Sequence, residues 1–238
     1  MRWLALVLTL LAAPADAACR QALALGLDVS SSVDDTEYRL QLDGLAAALL
    51  KPEVRAAFLA LPDAPVRLYV FEWAGSGPKR EVLNWQEIGS AADLAGVAAR
   101  LRGTGRVAMP PSTAVGEAML TGLDALAGQT ACGRRVLDLS GDGRSNTGPR
   151  PRDVRPMLGD ITVNGLVVGS DPRSAGDARS ALVGELQGYY AAEVIYGPQA
   201  FVEVAMGFAD FEAAMARKLL KELQFFAVSE LGAVDAGR

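Results

Sequence analysis

The sequence predicts an α/β fold in three layers: a doubly wound, mostly parallel sheet with one antiparallel edge strand and helices on both faces. Short apolar runs of strand length alternate along the chain with longer segments that have helical periodicity. A glycine- and proline-rich turn at residues 75–78 joins two strand candidates, which favours an antiparallel pair. Of the 238 residues 50% are hydrophobic, so the chain can bury a large core.

The first strand is predicted over residues 20–27, an apolar run that ends at Asp28. A helix over 36–49 follows, because its apolar residues recur at helical spacing and form one stripe. Lys51-Pro52 ends this helix, since proline is not tolerated in a helix interior, and a short helix over 53–59 comes next. The stripe of the first helix consists of Tyr38, Leu42, Leu45 and Leu49.

Two segments rich in β-formers lie on either side of the turn, at 66–73 and 81–88. They are the predicted antiparallel pair. A helix over 90–101 follows, with Ser90 suited to be its N-cap, and the loop after it leads to a helix over 113–126. The inward residues of this second helix are Val115, Met119, Gly122 and Leu126.

The C-terminal half continues the alternation of strands and helices. Its predicted elements are strand 134–140, helix 153–158, strand 161–169, helix 177–186, the strand region 194–204 and helix 208–226. Gly197-Pro198 interrupts the last strand region. The final helix turns Phe208, Phe211, Met215 and Leu219 inward, and residues 227–238 are expected to form a flexible tail.

The composition excludes several classes of site. The chain has no histidine, which rules out Ser-His-Asp and Cys-His catalysis and HExxH zinc chemistry. It has only 2 cysteines, too few for a cysteine-rich zinc or iron–sulfur site. A net charge of −5 argues against nucleic-acid binding. Any metal must therefore be held by oxygen ligands.

The first 17 residues have the features of a secretory signal peptide. Arg2 precedes an apolar run over 4–13, and the small-residue pattern Ala15-Asp16-Ala17 follows it. The alternative is a membrane anchor, but Pro14 and Asp16 interrupt the run well before the ~20 residues that a spanning helix needs. We therefore expect a mature domain over 18–226 without a membrane span, exported to the periplasm or secreted.

Short oxygen side chains follow the strand candidates where a sheet of this kind opens its ligand crevice. Asp28, Ser30 and Ser32 form a D-x-S-x-S pattern after the first strand, and Asp142 precedes Gly143 after the strand 134–140. A third loop ends in Ser112-Thr113. Taken singly, these residues suit helix caps and turns equally well. Taken together, two carboxylates and three hydroxyls are suited to Mg²⁺, Mn²⁺ or another hard cation.

With these residues the chain resembles the von Willebrand factor A domain, whose metal-ion-dependent adhesion site combines D-x-S-x-S with a later Thr and a later Asp-Gly. The matching residues are Asp28, Ser30, Ser32, Thr113 and Asp142. The resemblance covers residues 20–225 and is closest to a group of uncharacterised exported bacterial proteins of this fold. The stretches that carry this closer likeness are 134–148, 163–169 and 200–222.

The resemblance implies a protein-binding module and not an enzyme. Ser30 and Ser32 would contact the cation directly, Thr113 directly or through water, and Asp142 through water. A carboxylate of a protein partner would complete the shell, with Mg²⁺ the expected ion and Mn²⁺ or Ca²⁺ the alternatives. Pro110-Pro111-Ser112 replaces the usual glycine-containing lead-in, so Ser112 is an alternative ligand. A monomer is expected, and the other functions left open are a vestigial metal site and a metal-dependent hydrolase.

Two further expectations concern the surroundings of this site. Cys19 precedes Asp28 by nine residues and Cys132 precedes Asp142 by ten. In the sheet that the resemblance implies, their strands are parallel neighbours, so the two cysteines lie side by side at the end opposite the metal, which favours a disulfide over two free thiols. Four arginines follow the Asp142 loop and form either a solvated loop and helix start or a cationic rim that attracts an acidic partner. They are Arg144, Arg150, Arg152 and Arg155.

Overall fold

A computed structural model describes residues 19–169 and 177–234 of the chain. The signal peptide predicted over 1–17 lies outside these residues and stays a prediction. The strands are β1 (Cys19–Asp28), β2 (Val66–Trp73), β3 (Arg80–Ile88), β4 (Cys132–Gly141), β5 (Thr162–Val168) and β6 (Val202–Ala205). The α-helices are α1 (Asp35–Leu50), α2 (Pro52–Phe58), α3 (Ala91–Gly103), α4 (Val115–Ala127), α5 (Pro151–Val154), α6 (Asp177–Tyr189) and α7 (Phe211–Val234).

The six strands form one sheet in the order β3-β2-β1-β4-β5-β6. Every neighbouring pair is parallel except β2 and β3, which are antiparallel, as the turn at 75–78 predicts. The chain leaves β1 towards one edge of the sheet and leaves β4 towards the other. The carboxyl ends of these two central strands therefore form the crevice where sheets of this type bind ligands.

Helices cover both faces of the sheet, so the predicted three-layer architecture is confirmed. One core lies under α1, α2, α3 and α7 and contains the whole apolar stripe of α1. The other lies under α4, α5 and α6 and includes Val115, Met119 and Leu126 of α4. Both faces of β1 are consequently buried along its full length, which explains why this strand is apolar without alternation. No helix in the described ranges is long and apolar enough to cross a membrane.

Several element boundaries differ from the sequence predictions. Helix α4 begins at Val115 and has Ala114 at its N-cap, so Thr113 does not cap it. In the last strand region, Val194 ends a π-helical turn, Tyr196 forms an isolated antiparallel bridge with Val163, and only β6 belongs to the sheet.

The last helix also differs from its predicted bounds of 208–226. It is preceded by a 3-10 turn, Phe208–Asp210, and α7 itself begins at Phe211. It continues to Val234, into the segment where the sequence predicts a tail, because residues 227–234 contain no proline that would stop it.

Cys19 and Cys132 form the predicted disulfide, with their Cα atoms 4.4 Å apart. They are register partners at the first positions of β1 and β4. The bond therefore ties the two central strands together at the end of the sheet opposite Asp28, which is the last residue of β1. It closes a loop with a sequence separation of 113, and the chain-entropy model assigns such a loop ~4–5 kcal/mol of stabilisation.

A buried ionic cluster that the sequence did not predict joins α7 to β4. Lys218 is 0% exposed and its Nζ lies 2.8 Å from Asp138 Oδ1 and 2.7 Å from Glu222 Oε1. Asn164 on β5 donates to the same Glu222 oxygen at 2.7 Å. Burial raises the pKa of Asp138 to about 7, although the charge of Lys218 acts in the opposite direction. The cluster supplies an internal cation for two buried acids.

Candidate metal centre

The first ligand loop is held at the end of β1 by a set of buried hydrogen bonds. Asp28 is 1% exposed and its Oδ1 accepts a hydrogen bond of 2.9 Å from the Ser30 backbone N–H. The Gln41 side chain of α1 donates to the Asp28 carbonyl oxygen at 3.0 Å and accepts from the Ser140 hydroxyl of β4 at 3.2 Å. Gln41 thereby fixes the end of β1 against both α1 and β4.

The serine hydroxyls of this loop are not needed to cap α1, because Asp34 is its N-cap. Asp34 accepts from the Glu37 backbone N–H at 2.8 Å, and the Glu37 side chain accepts from the Asp34 backbone N–H, which completes a capping box. Ser32 does not cap α1, and its hydroxyl faces the crevice instead. Its Oγ lies 3.1 Å from Ser30 Oγ and donates to Asp142 Oδ1 at 2.7 Å.

The third loop approaches through backbone hydrogen bonds to both other loops. Ser31 donates from its backbone and from its hydroxyl to the Pro111 carbonyl, at 3.2 and 2.6 Å. The Thr113 N–H donates to Asn146 Oδ1, and the Asn146 N–H donates to the Thr113 carbonyl, each at 2.9 Å. A Cβ added at Gly143 would lie 3.8 Å from Thr113 Oγ1, so the threonine hydroxyl faces the Asp142 loop.

Ser112, the alternative ligand, is placed differently. Its hydroxyl packs against the backbone of Gly75, where an added Cβ would collide with it. Thr113 is buried, and its Oγ1 lies beside Gly143, the residue that follows Asp142. The geometry therefore brings together Asp28, Ser30, Ser32 and Asp142, with Thr113 beside them and Ser112 directed towards Gly75.

Four buried polar atoms of this region lack a hydrogen-bond partner within the described residues: Asp28 Oδ2, Asp142 Oδ2, the Tyr190 hydroxyl and Trp73 Nε1. A Cβ added at Gly141 would lie 3.0 Å from Asp28 Oδ2 and 2.5 Å from the Tyr190 hydroxyl, so these atoms converge on that glycine. Buried carboxylate oxygens normally have a hydrogen-bond partner, and a cation bound in this crevice would provide one for Asp28 and Asp142.

Burial and the close approach of the two acids also shift the pKa values of this region. Burial and the neighbouring charge of Asp142 raise the pKa of Asp28 to about 7. Burial also raises the pKa of Asp142, opposed by the hydrogen bond from Ser32. The pKa of Tyr190 is raised well above its usual value by burial and by the charges of Asp28 and Asp142. Two acids share a buried space, and within the described ranges no Lys or Arg pairs with either.

This donor set fits a hard divalent cation. It offers two carboxylates and up to three hydroxyls, which are oxygen ligands of the kind that Mg²⁺ prefers. Within the described ranges no group of 3 or more His, Cys, Asp or Glu residues could hold a metal, so any cation here depends on the hydroxyls.

No sequence pattern predicted the roles of Gln41, Asn146 and Tyr190. Gln41 carries a local signal, since it is a polar residue between Tyr38 and Leu42 on the inward side of α1. Asn146 lies on the Asp142 loop but contacts Thr113, which is distant in sequence, and Tyr190 reaches the site from beyond α6, so neither carries a local signal.

Solved structures with the same fold include von Willebrand factor type A proteins. Proximal thread matrix protein 1 from the mussel byssus, with a zinc-occupied MIDAS motif, is 16% identical (TM-score 0.54; 87% of this chain, 47% of that chain). The von Willebrand factor type A structure from Catenulispora acidiphila is 13% identical (0.56; 86% and 43%). The pilus adhesin SpaC from Lactobacillus rhamnosus GG is 13% identical (0.59; 86% and 31%).

This chain spans less than half the length of each of these three proteins. At such low identity the likeness establishes the fold, which is of the von Willebrand factor A type. No curated protein matches the chain. A family model described as "Protein of unknown function (DUF1194)" matches residues 18–226, and the chain therefore belongs to that family.

Proposed function

We propose that this protein is an exported module that binds a protein partner through a divalent cation held by Asp28, Ser30, Ser32, Thr113 and Asp142. The observation that carries the proposal is the pair of buried carboxylate oxygens, Oδ2 of Asp28 and of Asp142, that have no hydrogen-bond partner in the described part of the chain. The zinc-occupied MIDAS motif of proximal thread matrix protein 1, on the same fold, supports it.

Each residue has a distinct task in this proposal. The two carboxylates supply the negative charge that attracts the ion, and the hydroxyls of Ser30, Ser32 and Thr113 complete its shell without adding charge. A bound divalent cation supplies a positively charged position that accepts a carboxylate oxygen of the partner. Gln41 keeps Asp28 in place through the backbone, and the Asn146 bonds do the same for Thr113.

The proposed compartment is the periplasm or the cell exterior, with Mg²⁺ as the expected ion and a monomer as the expected state. The predicted signal peptide over 1–17 supports export, and so does the disulfide, because disulfides persist in oxidising compartments. SpaC, named as a pilus adhesin, supports a role in protein binding on this fold. No catalytic step is assigned to any residue.

Isothermal titration calorimetry with Mg²⁺, Mn²⁺ and Ca²⁺ tests the proposal. We expect binding by the wild type, loss of binding in Asp28→Ala and in Asp142→Ala, and unchanged binding in Asp63→Ala, a control at an exposed position. Circular dichroism of each variant verifies the fold. A wild-type protein that binds none of the three ions would refute the proposal, and so would an Asp28→Ala variant that binds as tightly as the wild type.

A further inference from the structure

A pocket of about 500 Å³ opens beside the proposed metal centre, between the loop that follows β4 and the C-terminal end of α6. Its walls carry three arginines and one glutamate. The lining residues that matter here are Arg144, Asn146, Arg150, Arg152, Tyr189 and Glu193.

The pocket and the metal centre share one loop. Asn146 lines the pocket and exchanges two hydrogen bonds of 2.9 Å with the backbone of Thr113. Ser145, on the same wall, accepts from the Val115 N–H at 3.2 Å and its own N–H donates to the Tyr189 hydroxyl at 3.2 Å. The wall of the pocket that carries Asn146 and Ser145 is therefore in direct contact with the backbone of Thr113 and Val115.

The side chains that line the pocket carry an excess of positive charge. Glu193 neutralises Arg152 through two contacts of 2.6 and 2.5 Å. Arg144 stacks over the Tyr189 ring at 5.6 Å and lies 3.7 Å from Glu185, but both partners of that ion pair are more than half exposed, which makes it weak. Arg150 is exposed, and its guanidinium has no ion pair or hydrogen bond within the described residues. Two guanidinium groups thus remain for an anionic ligand.

We infer that this pocket is a second subsite for the same partner, and that it binds a second acidic side chain on the segment whose first carboxylate faces the cation. The inference rests on the proposed function. The ligand class is a peptide segment with two Asp or Glu residues. One carboxylate binds at the metal centre, and the other binds Arg144 and Arg150.

The arginine cluster that follows the Asp142 loop in the sequence therefore divides into two roles. Arg144 and Arg150 face the ligand. Arg152 is occupied by Glu193, and Arg155 donates to the Ala192 carbonyl at 2.9 Å, so this pair joins α5 and the turn after it to the end of α6.

The test uses synthetic ten-residue Gly/Ser peptides that contain Asp-Glyₙ-Asp with n from 1 to 5, and matched peptides with Asn in place of the second Asp. Affinities are measured by fluorescence anisotropy with the mature protein in Mg²⁺ and in EDTA. We expect at least one di-acidic peptide to bind ~10-fold more tightly than its mono-acidic match, in Mg²⁺ only. The double variant Arg144→Gln/Arg150→Gln should lose this preference and retain Mg²⁺ binding by calorimetry. Arg55→Gln, an exposed arginine on α2, is the matched control.

The outcomes separate the two proposals. Mg²⁺ binding without any preference for a second acid, or with a preference that survives in the double variant, overturns the subsite and leaves the proposed function standing. Absence of Mg²⁺ binding in the wild type overturns the proposed function itself. Stronger competition by inorganic phosphate than by the di-acidic peptide would overturn the assignment to carboxylates.

Discussion

Replacing Asp28 with asparagine should stabilise the metal-free protein at pH 8 and abolish cation binding. Burial and the charge of Asp142 raise the pKa of Asp28 from 3.8 to about 7 in the folded protein. The folded state therefore holds the Asp28 proton more tightly than the unfolded chain does. The stability that this proton contributes is complete below pH ~4 and is lost as the pH rises through about 7.

The magnitude follows from the two pKa values. The pKa values of Asp28 in the folded and unfolded states differ by about 3 units, which destabilises the folded protein by about 4 kcal/mol at pH 8. At pH 5, where Asp28 is ionised only in the unfolded chain, the destabilisation is about 1.5 kcal/mol. Asparagine avoids this cost and keeps the oxygen that accepts from the Ser30 N–H. The amide nitrogen of the asparagine takes the place of Asp28 Oδ2. The oxygen of the Tyr190 hydroxyl, which also lies beside Gly141, can accept a hydrogen bond from it. Asp28→Asn should therefore gain up to about 4 kcal/mol at pH 8, and less at pH 5.

Urea denaturation in EDTA at pH 5 and pH 8 measures the effect. Asp138, whose pKa is also about 7, titrates in both proteins and cancels in the difference between them. The exposed control Asp63→Asn should stay within ~0.5 kcal/mol of the wild type at both pH values. In saturating Mg²⁺ the order should reverse, because only the wild type gains binding energy. An Asn variant no more stable than the wild type at pH 8, or a gain of equal size at both pH values, would refute the reasoning.

Three further predictions concern the rest of the molecule. Lys218→Met should destabilise the fold by ~3–5 kcal/mol in urea, because it leaves two buried acids without a cation, whereas Lys221→Met on the exposed side of α7 should cost less than ~1 kcal/mol. Cys19→Ser/Cys132→Ser should cost ~4–5 kcal/mol, and native wild-type protein should show no free thiol with a thiol reagent. The mass of the exported protein should lack residues 1–17, and an intact N-terminus would contradict the predicted signal peptide.

The parts of the fold that were predictable depend on local patterns. Strand β2 was predicted at its observed bounds because its β-formers stand between two turns, and the antiparallel pairing of β3 follows from the turn at 75–78. The predicted starts of α4 and α7 were wrong, because α4 begins two residues later, after its N-cap Ala114, and a 3-10 turn precedes α7. The predicted end of α7 was also wrong. Such ends depend on contacts with other elements that periodicity does not encode.

The convergence of the candidate ligand residues was predictable for a different reason. Asp28, Ser30 and Ser32 are close in sequence, and the topology of a parallel sheet brings the ends of β1 and β4 together. Asn146 makes a long-range hydrogen bond to the Thr113 backbone, which any polar residue can make, so its type does not predict the contact. Gln41 is marked only by its polarity on the inward side of α1. The Lys218 cluster was missed because a lysine on a helix is ordinarily solvated, and its partner Asp138 becomes its neighbour only through tertiary packing.

The two groups of buried acids at β4 support the metal proposal by contrast. Asp138 lies within the strand, and the chain itself supplies its counterion in Lys218, at 2.8 Å. Asp142 follows the same strand and shares its space with Asp28, yet no Lys or Arg of the described residues pairs with either acid. If the acids of the crevice were purely structural, an internal cation like Lys218 would stabilise them at lower cost. Hydroxyls surround them instead, and hydroxyls cannot neutralise charge but can coordinate an ion. In our proposal, the positive charge that balances Asp28 and Asp142 is therefore supplied by a bound cation.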